Sequence, residues 1–219
     1  IGMVVLGFMN AFGIEVETKA LANTESPLIL YAILIGLCVI LIATSIYLHV
    51  KKKEKYQFKL LLKLSGRLPS DFVEMTNLAT VTFNMSIMGF ILLGYVLLNG
   101  GQLNGPIVGS IIGAMSFGAF GNQVKNTVPV LVGIMIGCYL TGVDVASTSA
   151  LVAAIFGTTL APVSGYYGSI AGVIAGVVHI TLVSHVVVMH GGLNLYNNGF
   201  AGGFVAAVLV PIFEIFEGI

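Results

Sequence analysis

Asn194, Tyr196, Asn197 and Asn198 fall within "HGGLNLYNNGFAGGF", residues 190–204, between two long apolar runs. An amide side chain carries both donors and acceptors. Several together at membrane depth can replace the hydration shell of a small neutral solute. The same amides can instead cap backbone groups freed where a helix breaks, because unpaired backbone at that depth must be buried in protein or line a water-filled cavity. His179 lies inside the apolar run 166–189. At 100° per residue it shares a face with Gly172 and Gly176, and His190 returns to that face, while His185 points elsewhere. An ionisable group inside a membrane marks a functional site; a packing bond to a neighbouring carbonyl is the other reading of His179. Asn84 and Ser86 are hidden in a further apolar run. Thr158, Thr159 and Ser164 surround Pro162 and Gly165, which reads as a broken helix. The expected solute path is Asn84, Thr159, His179, Asn194, Tyr196, Asn197 and Asn198.

Other chemistries lack their residues. There is no G-x-S-x-G, H-E-x-x-H, Walker loop or C-x-x-C in the chain. Glu15, Glu17, Glu25, Glu54, Asp71, Glu74, Asp144, Glu214 and Glu217 all lie in loops or at run ends. An ion-coupled pump needs an intramembrane carboxylate, so ion coupling through this part of the chain is not expected. The histidines have no carboxylate nearby in sequence. No metal, no cofactor and no enzymatic activity are expected. Cys38 and Cys138 sit inside apolar runs and read as small buried apolar residues.

The elements that must carry these groups are membrane helices. Of 219 residues, 57% are hydrophobic and 8% charged, and mean hydropathy is +1.03. A soluble domain carries about 25% charged residues. The expected fold is all-α, a polytopic transmembrane helix bundle, with the lipid bilayer as its solvent and no nucleic-acid partner. Crossing the bilayer takes about 20 apolar residues. Runs 28–48 and 77–98 meet that length, as do 166–189 and, nearly, 199–216. Runs 105–121 and 127–142 are shorter and Gly-rich, and 147–160 is about two-thirds of a span, expected to be a short tilted or re-entrant helix.

Lys51, Lys52, Lys53, Lys55, Lys59, Lys63 and Arg67 crowd into residues 49–67 and make up seven of the nine Lys and Arg residues. The positive-inside rule places this segment in the cytoplasm of a plasma or inner membrane. Lys51, Lys52, Lys53, Lys55 and Arg67 are its expected membrane-surface groups. Aromatic and leucine residues interleave with the lysines, so 54–65 also reads as an amphipathic helix on the inner leaflet. Next, "LPSDFVEM" (68–75) reads as a helix start, with Pro69 near N1, Ser70 or Asp71 as cap and Glu74 closing a capping box. This divides the chain into 1–48, N-terminal membrane segments; 49–76, a basic linker; and 77–219, the membrane domain. The apolar opening from Ile1 reads as the tail of a helix, so a missing N-terminal half of the same protein is an expected partner.

Gly105, Gly109 and Gly113 recur every four residues, as do Gly168, Gly172 and Gly176; Gly133 and Gly137 make another pair. Small residues at this spacing let helices approach closely, so Gly-zipper packing is expected. The strings "GSIIGAMS" (109–116) and "GSIAGVIA" (168–175) are alike, which hints at an internal repeat.

"LNGPIVGSIIGAMSFGAFGNQVKNTVPVLVG", "FGTTLAPVSGYYG" and "HGGLNLYNNGFAGGFVAA" together resemble a prokaryotic membrane-protein family catalogued as domain of unknown function 1576. That resemblance covers most of the chain and implies no activity. "GGLNLYNNGFAG" is also similar to the Gly-Leu-x-x-Tyr/Phe-Asn-x-x-Leu signature of urea transporters, where it lies by a re-entrant half-helix at the pore. Gly192, Leu193, Tyr196 and Asn197 fall on it in register, with Phe200 in place of the last Leu. That family's Pro-rich filter segments are not evident. The expected function is therefore a transporter or channel-like facilitator of a small polar, neutral solute. The alternative is a non-transporting membrane subunit, a scaffold or part of a redox or lipid-modifying enzyme. Homo-oligomerisation stays open.

Overall fold

The computed structural model describes residues 11–13, 27–67, 71–186 and 194–217. It is helical, with no strand among the described residues. The elements are α1 (Pro27–Lys51), α2 (Phe58–Leu61), α3 (Phe72–Met75), α4 (Leu78–Leu98), α5 (Gly105–Ser116), α6 (Val124–Thr141), α7 (Thr148–Gly157), α8 (Ala161–Tyr167), α9 (Ser169–His185) and α10 (Asn194–Glu217). Single 3-10 turns follow α5 at Phe117–Ala119 and join α7 to α8 at Thr158–Leu160.

Polar residues set the helix starts. Asn77, Asn104 and Ser147 each accept a bond from a first-turn N–H of α4, α5 and α7. Gln123 and Asn126 form a reciprocal capping box on α6. Such caps satisfy N–H groups that have no partner inside the helix. Asp71 caps α3 through Val73 N and Glu74 N, as one of the two expected caps; Pro69 and Ser70 lie outside the described residues. Gly142 ends α6 in the left-handed region at φ 70°, which costs glycine little.

The cross-chain contacts sort the helix ends into two groups. At the basic end, Glu54 accepts from Ala79 N at 2.9 Å, Asn126 donates to the Ser65 carbonyl at 3.1 Å, and Arg67 pairs with Glu214 at 3.2 Å. At the opposite end, Asn104 donates to Thr148 Oγ1 at 2.8 Å. α1, α4, α5 with its 3-10 turn, α6, α7–α8, α9 and α10 therefore run alternately from one end to the other. Among the described residues, α9, expected as a full span at 166–189, has 17 residues, and five apolar helices are long enough to cross a membrane, among them the continuous 20-residue run Thr148–Tyr167.

That run corrects the expectation of a partial helix at 147–160 broken near Pro162. Pro162 stands at the first turn of α8, where its missing N–H disrupts nothing. Thr158 and Thr159 hydroxyls donate to the Ile155 and Phe156 carbonyls at 2.7 and 2.9 Å, helping the helix through the junction. The break falls at Gly168, φ 92°, instead.

A second correction concerns 54–65. Only Phe58–Leu61 is helical. Tyr56 stacks between His49 and Phe58, and Phe58 meets Phe83 edge-on at 5.2 Å. Leu61 is buried with Phe72 and Val81. These side chains pull the segment into the bundle, so it cannot lie flat as one long amphipathic helix. Lys51, Lys52, Lys53 and Lys55 remain exposed.

The glycine rows have different fates. α6 and α9 form the tightest helix pair: a Cβ on Gly133 would strike the Val173 backbone, and one on Gly176 would strike the Val130 carbonyl. Gly137 lies against Ile180 and Val177, and Gly172 against Ser164. Gly105 and Gly109 face open space, and a Cβ on Gly113 would meet Phe156 only at 3.6 Å, an ordinary contact. α5 buries Ile107, Val108, Ile111, Ala114 and Met115, so its glycine row lies on the other side. The likeness of 109–116 to 168–175 is not a structural one: Gly109 is open, while Gly168 makes a sharp turn.

Candidate functional site

The start of α10 packs beside α9 and the end of α7. His179 Nε2 lies 3.3 Å from Asn198 Oδ1, within donating distance when the ring proton is on Nε2. Both residues are buried, His179 completely. Gly157 makes the room: a Cβ there would stand 2.8 Å from the His179 ring and 2.6 Å from Ile134.

Asn197 is also completely buried. Neither its Oδ1 nor its Nδ2 has a hydrogen-bond partner among the described residues. It shares a helix face with Ala201 and Val205, at successive intervals of four, and both are buried in the main core. An uncompensated amide in such surroundings costs roughly 2–7 kcal/mol, depending on the reference state.

Thr159 is next to this group. It faces Gly202, whose added Cβ would lie 3.2 Å from its hydroxyl. It lines a groove of about 490 Å³ between α7–α8 and α10, together with Gly199, Ala206 and Val210. The groove ends at a cluster on the basic end. There Arg67 pairs with Glu214 at 3.2 Å, Tyr167 Oη donates to Glu214 at 3.2 Å, and the Arg67 guanidinium sits 4.4 Å over the Tyr166 ring. Sequence reading put Arg67 on the membrane surface and Glu214 at a helix end. Nothing in either position signalled that 147 residues of chain close into this pair.

Asn84 is elsewhere. Its Nδ2 donates to the Gly118 and Asn122 carbonyls, both at 2.8 Å, tying α4 to the α5–α6 turn. The structure does not bring it to His179. Asn194 and Tyr196 begin α10, and their side chains lie outside the described residues, as does His190. The expected interruption through residue 199 is corrected from Asn194 onward: these residues are continuous with a 24-residue helix. Asn197 and Asn198 turn into protein, so their amides do not cap a break at their own position.

Cys38 and Cys138 are free and buried. No group of three His, Cys, Asp or Glu residues suited to a metal occurs among the described residues.

The chain belongs to the family described as protein of unknown function DUF1576, which matches residues 50–215. No curated protein and no solved structure matches it, and the likeness of 192–200 to urea transporters thus rests on motif wording alone.

Proposed function

We propose that this DUF1576 chain belongs to a carrier, not an enzyme, that moves a small neutral polar solute across the membrane. Asn197 is the observation that carries the reading. An amide can make about four hydrogen bonds, and a membrane protein that keeps one buried with no partner among the described residues has a use for it. With His179 and Asn198 adjacent, the site offers donors and acceptors without a fixed charge, which suits a neutral solute better than an ion. Thr159 and its groove are the approach from the basic end, with Arg67 and Glu214 at the mouth. The basic end faces the cytoplasm of the cell membrane in this reading, because positive charge stays inside. Complete burial of Asn197 and His179 fits an occluded carrier state; an open channel would leave them wet.

The test is uptake into proteoliposomes of a panel of small amides, ureas and polyols. Asn197→Ala is expected to cut transport of the accepted solute at least about tenfold, the value of one well-placed hydrogen bond. Its melting temperature should not fall. Equal transport by wild type and Asn197→Ala, or no transport of any panel member, rejects the proposal.

One observation favours the alternative of a non-transporting membrane subunit. The groove is mainly apolar and open on one side, so an acyl or isoprenoid chain fits it. Mass spectrometry of the purified protein would then find a lipid or quinone retained in stoichiometric amount, and Gly202→Leu would release it.

A further inference from the structure

A polar pocket of about 170 Å³ lies at the basic end, apart from the His179 group. Lys63 and Lys125 line it, from chain segments 62 residues apart, with Gln123, Asn126, Ser164, Gly168 and Ser169. No carboxylate does. Both lysines are exposed, and neither is in an ion pair among the described residues, where Arg67 and Glu214 form the pair. The N-terminus of the 17-residue helix α9 opens here. Gly168 at its N-cap supplies no side-chain bond, so the first-turn N–H groups and the positive end of the helix dipole point outward. Ser164 supplies an independent sign. It is 96% buried, at 4% exposure, and its hydroxyl has no partner among the described residues. It packs against Gly172, within the first turn of α9, where any Cβ would collide with it. The pocket amides are already spent: Gln123 on Lys125 N and the Leu64 carbonyl, Asn126 on the Ser65 and Gly121 carbonyls. They hold the walls and leave a serine hydroxyl, two ammonium groups and a bare helix end unclaimed.

We infer that this pocket binds a phosphate group. Helix N-termini with added cations and a hydroxyl donor are suited to a tetrahedral oxyanion. The phosphate can be free in solution or borne by a lipid headgroup, since the pocket opens where the basic segment meets the interface. The inference does not rest on the transport reading.

The full chain in detergent is titrated with inorganic phosphate, and in nanodiscs with phosphatidate in a phosphatidylcholine background. The paired substitution Lys63→Gln/Lys125→Gln is expected to weaken binding about tenfold or more, and Ser164→Ala about threefold. Lys51→Gln/Lys52→Gln, which removes as much charge from the same end outside the pocket, should change it less than about twofold. Because all four lysines are exposed, an unchanged melting temperature verifies folding. Lysine-dependent binding of phosphate alone makes the source soluble; lysine-dependent binding of phosphatidate alone makes it a lipid; competition between them makes one site serve both. Absence of binding in both arms, or equal losses from the two lysine pairs, overturns the inference.

Discussion

Two completely or almost completely buried asparagines have opposite outcomes. At the α4 junction, Asn84 lies by Gly118 and donates both amide hydrogens to backbone carbonyls. On α10, Asn197, the chain neighbour of the Asn198 that meets His179, has neither amide atom bonded among the described residues. The residue type and the burial are alike. What differs is whether a neighbouring segment turns its carbonyls toward the amide. The 3-10 turn after α5 and the link that follows it do so for Asn84, through Gly118 and Asn122. No carbonyl among the described residues is turned to Asn197 in this way. The first asparagine is a fastener. The second is an open capacity.

Asn84→Ala is expected to have the largest effect on folding. It strips two carbonyls of their donor, a loss of about 1–3 kcal/mol, or a melting-temperature fall on the order of 5 °C for a chain of this size. Thermal unfolding in detergent measures it, and an unchanged midpoint would mean Asn84 is not a fastener. Gly157→Ala comes next. Its methyl must displace the His179 ring or Ile134, at a cost of about 1–3 kcal/mol for overpacking, whereas Gly94→Ala, facing open space in α4, should stabilise by about 0.5–1 kcal/mol. Equal effects at the two glycines would deny the close contact. Asn197→Ala should leave stability unchanged or raise it slightly, since it removes a polar group that has nothing to lose. A fall as large as that of Asn84→Ala would erase the contrast. Arg67→Gln should be the smallest, about 0–1 kcal/mol, because both partners are about half exposed.

Much of the fold was legible because a membrane helix must satisfy its own backbone and bury apolar length, and both demands are local. Runs 28–48 and 77–98 were located to within three residues of α1 and α4. The basic segment was recognisable from charge alone, and "NGP" marked the start of α5. The path of 147–167 was not legible, because Thr, Pro and Gly break isolated helices yet are tolerated when hydroxyls and a first-turn position absorb them. The glycine rows were equally ambiguous: spacing identifies a smooth face, but not what lies against it. Of the expected path residues, His179, Asn197, Asn198 and Thr159 gathered around one junction, and Asn84 did not.

The sequence by itself determined the class, the spans of α1 and α4 and the end that carries the charge. Those follow from composition and length against the thickness of a bilayer. Tertiary structure decided which polar groups are spent and which are left. It gave Asn84 its two carbonyls, left Asn197 with none among the described residues, closed Arg67 on Glu214, and set Lys63, Lys125 and Ser164 around one helix end. Hydrogen bonding is directional and short-ranged, so its account can be drawn up only after distant segments have met.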